Sequence, residues 1–100
     1  MSLLDDVKAT LNKITADEWT ETKLNLIIAR GKRYLRRFAP DLQDEDFEEG
    51  DSYARSLLLD YCRYDYSEAV EVFKTNFRED IIALRRDYMV RENVRESYED

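Results

Sequence analysis

The stretch SYARSLLLDYCRYDYSEAVEVFKTNFREDIIALRRDY, residues 52–88, decides the fold. Within it Ala54, Leu57, Leu58, Tyr61, Cys62, Ala69, Val70, Phe73, Phe77, Ile81, Leu84 and Tyr88 recur at steps of three and four. That spacing gathers them on one side of a helix with about 3.6 residues per turn. An apolar side of that length needs cover, and the first forty residues hold two shorter helical patterns to supply it. Two internal signals interrupt the long pattern: Asp65 with Glu68, and Asn76 with Glu79, each spaced as a cap and its returning carboxylate. No Gly or Pro enforces either break. The expectation is one helix over 52–75, capped by Asp51 or Ser52, and another over 77–90, with a single bent rod as the alternative.

Toward the N-terminus, Ser2 precedes Leu3, Leu4, Asp5 and Asp6, a hydroxyl cap followed by carboxylates at the positive end of a helix. Leu4, Val7, Leu11 and Ile14 form the stripe of this first helix, over 3–13, which is too short to stand without packing. Thr15 and Glu18 have capping-box spacing, with Ile14 and Trp19 as a hydrophobic staple. A second helix therefore runs over 16–38, with Leu24, Ile27, Ile28, Gly31, Tyr34, Leu35 and Phe38 on its stripe and Pro40 ending it. Gly31 on a buried stripe costs up to about 1 kcal/mol against Ala, so it reads as close approach of another backbone, with mere tolerance of a glycine as the alternative.

Between the halves, seven of the eleven residues 41–51 are acidic, which reads as a solvated loop with a turn at Gly50. Asp44, Asp46 and Glu48 match the first ligand positions of an EF-hand loop, but Glu49 stands where Gly is required and Arg55 where the bidentate Glu belongs. The calcium match fails there. Residues 91–100 form a polar tail around Val94 and Tyr98, expected to fray or await a partner.

Taken together, 100 residues with 43% hydrophobic and 39% charged content, two Gly and one Pro describe one all-α domain, a small bundle of about four helices. The net charge of −7 repels nucleic-acid backbones and anionic membranes, and both halves share the acidity, so no basic tail hides in the average. Sequence-specific nucleic-acid binding is not expected. Nor is a membrane span, since no window approaches about 20 apolar residues. The N-terminus lacks the pattern of a secretory signal, and synthesis and residence in the cytoplasm are expected.

Catalytic chemistry finds little to use. Histidine is absent, which removes Ser-His and Cys-His pairs and the commonest zinc ligand. Lone Cys62 reads as a small buried hydrophobe, and Gly31-Lys32 lacks the rest of a phosphate loop. Neither enzymatic activity nor a metal or cofactor is expected. Arg30, Lys32, Arg33, Arg36 and Arg37 form the one basic concentration. They suit the negative end of a helix facing an acidic loop, and equally a surface for an acidic partner. Tyr53, Tyr61, Tyr64 and Tyr66, with Arg55 and Arg63 among them, are spread around the helix, which suits core and subunit contacts better than stacking on bases.

The run Leu57-Leu58-Leu59-Asp60-Tyr61-Cys62-Arg63-Tyr64, followed by Ala69, Phe73, Asn76-Phe77 and Leu84-Arg85, resembles the C-terminal half of head-tail connector proteins of tailed phages with long non-contractile tails. Leu3-Leu4-Asp5-Asp6-Val7-Lys8 and Ile28-Ala29-Arg30-Gly31-Lys32-Arg33-Tyr34-Leu35 are similar to the other half of the same pattern. The resemblance implies a helical adaptor of a phage or prophage that docks as a ring on the portal, extends the DNA channel and offers a platform for the next neck, or stopper, protein. It would reside in the host cytoplasm during assembly and then in the virion neck. A ring needs a head-to-tail interface, for which Arg30, Arg33, Arg36, Arg37, Tyr53, Arg55, Arg63 and Tyr64 are the candidates. Asp44, Asp46 and Glu48 are candidates for a channel wall past which DNA slides without sticking. The reading set against this is a cytoplasmic helical module that binds one acidic or helical protein partner through the Arg30 to Arg37 face.

Overall fold

The computed structural model of the chain describes residues 3–11, 17–48 and 52–87. The fold is all-α, with six helices and no strand among these residues. In chain order they are α1 (Leu3–Thr10), α2 (Glu18–Arg36), α3 (Asp44–Glu48), α4 (Tyr53–Tyr66), α5 (Val70–Asn76) and α6 (residues 78–87).

α2 and α4 form the central pair, α1 lies against both, α3 packs on α4, and α5 folds back against α4. Val7 of α1, Leu24, Ile27 and Leu35 of α2, Leu57, Leu58 and Cys62 of α4, and Phe73, Ile81 and Leu84 beyond it are all buried in one core. The apolar stripe of residues 52–84 is thus where its spacing put it. Ala69, Val70 and Phe77 are half-buried at its edge, and Tyr88 lies outside the described residues.

Local chemistry sets the helix ends. Asp17, not Thr15, caps α2: its carboxylate accepts from the Thr20 N–H at 2.8 Å, and these hydrogen bonds hold its pKa below the usual carboxylate value. Trp19 is 72% exposed, and its expected staple partner Ile14 lies, with Ser2 and Thr15, outside the described residues. α1 is shorter than expected, ending at Thr10, with residues 12 and 13 outside the described part. α2 ends at Arg36, after which the Arg37 N–H returns to Tyr34 O and Leu35 O.

The acidic stretch is not a plain loop. Its middle is the helix α3, because Phe47 gains full burial there and the Asp46 carboxylate reaches back to the Gln43 N–H at 2.8 Å. Gly50 and its expected turn lie outside the described residues. Ser52 then caps α4 by accepting from the Arg55 N–H at 3.0 Å.

The expected helix over 52–75 breaks after Tyr66. Glu68 N–H donates to Asp65 O at 2.9 Å and Ala69 N–H to Tyr64 O at 2.8 Å, the two bonds of a Schellman ending. Glu68 takes the left-handed φ of 57° that this ending needs, where Gly is the usual residue. Asp65 does not cap α5, as its carboxylate is bonded to Arg30 instead. A second break falls at Phe77, so neither the two-helix expectation nor the bent rod describes residues 52–87.

Gly31 faces α4. What approaches it is side chain and not the backbone expected: a Cβ there would stand 2.5 Å from Leu58 Cδ1 and 2.7 Å from Tyr61 Cδ1, well inside contact distance. Gly31→Ala is therefore expected to lower unfolding free energy by about 1 to 3 kcal/mol in urea titrations, against a propensity gain of at most about 1 kcal/mol. A neutral or stabilising result would mean that the two helices separate at no cost. Glu68→Gly relieves the left-handed strain and is expected to stabilise by about 0.5 to 1 kcal/mol in the same assay.

Candidate functional site

The basic concentration on α2 separates into cations that hold the fold together and cations that face outward. Arg30 grips Asp65 with two hydrogen bonds, 3.0 Å from Nε and 2.9 Å from Nη2, tying α2 to the end of α4. That pairing raises the Arg30 pKa. Arg36 donates to Leu42 O at 3.0 Å and to Asp44 Oδ1 at 2.8 Å, and Lys32 reaches the same Asp44 oxygen at 3.4 Å. Both cations also sit over the Phe47 ring, at 5.5 and 5.7 Å. Arg36, and Lys32 behind it, lower the Asp44 pKa. Arg33 and Arg37 are exposed, and with Arg30, Tyr34 and Tyr61 they line a shallow hollow between α2 and α4.

A larger groove adjoins it. Tyr34 and Phe38 on one side and Lys74, Arg78, Ile81, Ile82 and Arg85 on the other enclose about 350 Å³ between the end of α2 and α5–α6. Its inner wall is aromatic: Tyr34 lies 5.7 Å from Tyr61 and 6.0 Å from Phe73, and Lys74 Nζ stands 5.8 Å from the Tyr34 ring. Burial raises the Tyr34 phenol pKa. Sequence reasoning reached the α2 cations and missed Lys74, Arg78 and Arg85. Their spacing of four and seven residues was a usable signal, hidden by the break at Phe77.

The remaining interface candidates do other work. Arg55 is 4% exposed and so is not a surface residue. It pairs with Asp6 of α1 and donates to Phe47 O at 3.2 Å and Glu48 O at 3.1 Å, which consumes its guanidinium inside the fold. Tyr64 is half-buried, its ring 5.9 Å from Phe73 and 5.7 Å from Phe77, and so completes the aromatic cluster. Tyr53 donates to Asp80 Oδ1 at 2.6 Å, fastening α4 to α6, and burial with this partner pushes its pKa up to about 12. Arg63 is exposed beside Asp60, at 3.5 Å. Of the acidic trio, Asp44 is bound to Arg36 but its side chain stays 65% exposed, Asp46 caps α3, and Glu48 is exposed.

Among the described residues no three carboxylate or thiol groups are gathered to hold a metal ion, and no helix is long and apolar enough to cross a membrane. No family profile, curated protein or solved structure matches this chain.

Burial pushes the Cys62 thiol up to about 12, with Asp65 adding to the effect, and raises Tyr61 to the same value. The unfolded chain gives up these protons from about pH 8.5 for Cys and about pH 10 for Tyr. The folded chain keeps them longer, so their stabilisation is whole below about pH 8.5 and is lost as pH rises to about 12. Urea midpoints should fall across that window, and Cys62→Ala should flatten the fall. Equal slopes in variant and parent would remove Cys62 as a cause.

Proposed function

We propose that this chain is a structural protein of virion assembly, a head-tail connector of a phage or prophage. It docks as a ring on the portal, extends the DNA channel toward the tail and presents a platform to the next neck protein. It performs no catalysis and holds no cofactor. The resemblance of Leu57–Tyr64 and its flanking residues to connector proteins supports this reading, as does the all-α build.

The observation that carries it is the unlike charge of its surfaces. A chain of net charge −7 concentrates Arg33, Arg37, Lys74, Arg78 and Arg85 along one edge, around exposed and half-buried apolar side chains. A subunit in a ring needs two different faces, because head-to-tail contacts are heterologous. On this reading the exposed side of α3, with Asp44 and Glu48, faces the channel and repels DNA. The protein accumulates in the host cytoplasm and ends in the virion neck.

The same basic edge favours a second reading, a helical module that binds one acidic protein partner in the cytoplasm. Native mass measurement separates the two. Mixed with the portal protein of its own phage or prophage, the chain is expected to co-migrate as a ring whether or not it is a monomer alone. Absence of co-migration at micromolar concentrations would hand the case to the binding module.

A further inference from the structure

Two features at opposite ends of α2 remain without a role in the fold. At its first turn Trp19, the only tryptophan of the chain, is 72% exposed, with Lys23 Nζ 5.8 Å from its ring. Exposed carboxylates of Asp17 and Glu18 flank it. At the other end lies the groove of about 350 Å³, in which Tyr34, Phe38 and the 47% exposed Ile82 form an apolar floor and Lys74, Arg78 and Arg85 a cationic rim. Trp19 and Tyr34 stand about 22 Å apart along the helix, at about 1.5 Å per residue.

The two ends are complementary. One is an exposed indole on a helix turn that carries the exposed carboxylates of Asp17 and Glu18 against the single Lys23; the other is an apolar hollow, wide enough for an aromatic ring, with three cations on its rim. Tryptophan and arginine are the residues that most often dominate protein interfaces, and an arginine over an indole face adds cation-π attraction.

We infer that the Trp19 end of one copy seats in the α2–α6 groove of the next. This rests on the reading that the chain assembles into a ring, and it names the two surfaces that meet. Knob and socket belong to one chain but not to one patch, so the contact is heterologous and propagates from copy to copy. An antiparallel two-fold pairing of α2 helices would also bring the two ends together. Such a pairing closes at the dimer, whereas the head-to-tail contact continues past it, so the size of the assembly separates the two.

The test uses the full chain. Sedimentation and tryptophan emission are followed together from about 1 μM to about 1 mM protein, at low and high salt. Mass is expected to grow past the dimer while emission moves to shorter wavelength in step, because the only indole becomes buried; added salt should weaken both. Trp19→Ala and Ile82→Glu alter exposed positions, so both should keep the helical circular dichroism. Each is expected to weaken association about thirtyfold or more. An equimolar mixture of the two should yield dimers and nothing larger, since one variant keeps its socket and the other its knob.

A parent chain that stays monomeric throughout, or a mixture that does, overturns the inference. So does mass growth with unchanged emission, or a Trp19→Ala chain that still forms rings on portal; these last two leave the assembly reading standing. Failure of the parent to join portal while knob and socket still associate would remove the connector reading alone.

Discussion

Between Gly31 of α2 and Leu58 and Tyr61 of α4 there is room for a hydrogen atom and nothing larger. This contact sets the distance between the two central helices, and the rest of the fold is arranged around it. With the helices this close, Arg30 reaches Asp65 with both arms of its guanidinium, and Tyr34 stacks on Tyr61 at an interplanar angle of 25°. Tyr61 in turn meets Phe73 edge to face at 5.4 Å, which fixes where α5 lies. The groove beside Tyr34 is a consequence of that packing. Its aromatic wall is the outer side of the cluster that closes the core.

A second constraint comes from Arg55. A buried guanidinium is costly unless its charge is paired and its N–H groups are bonded, and here Asp6, Phe47 O and Glu48 O meet both needs. No buried side-chain nitrogen or oxygen lacks a partner among the described residues. The arrangement couples three helices: α1 supplies the carboxylate, α3 its last carbonyls, α4 the cation. The α3 carbonyls at a helix C-terminus carry partial negative charge, so the same cation also stabilises the end of a helix too short to persist alone. This explains how so acidic a segment folds onto the domain. Phe47 supplies the apolar contact and Arg55 the counter-charge, with Arg36 and Lys32 holding Asp44 from the other side.

What could be read from sequence followed helical periodicity. Ala54, Leu57, Leu58, Tyr61 and Cys62 are buried because a period of 3.6 leaves them no other side to face; a glycine on an apolar stripe announced a tight contact at Gly31, though side chains of Leu58 and Tyr61 and not a backbone fill it. What escaped lay in tertiary terms that outvote local preference. Glu68 adopts a positive φ because folding Phe73 and Phe77 under Tyr64 requires the chain to turn there, not because Glu favours that conformation. Arg55 stands three residues before Leu58 and seven before Cys62, a spacing that puts it on the buried side, yet its charge argued for the surface. The groove cations lie on α5 and α6, some forty residues from the α2 cluster in sequence, and only the turn at residues 67–69 brings the two sets to one edge.

The net charge also needs reinterpretation in light of that edge. At physiological salt the Debye length is about 8 Å, so each surface patch acts mainly on what comes into contact with it. Two copies meeting at random therefore feel mostly acidic surface against acidic surface and repel. Only when a carboxylate-bearing patch meets the Arg78 and Arg85 rim does the local field change sign. An overall negative charge then works with the basic edge rather than against it: it suppresses misaligned contacts and leaves one orientation favourable. A neutral chain with the same groove would bind no more tightly in that orientation and would have many more ways to bind wrongly.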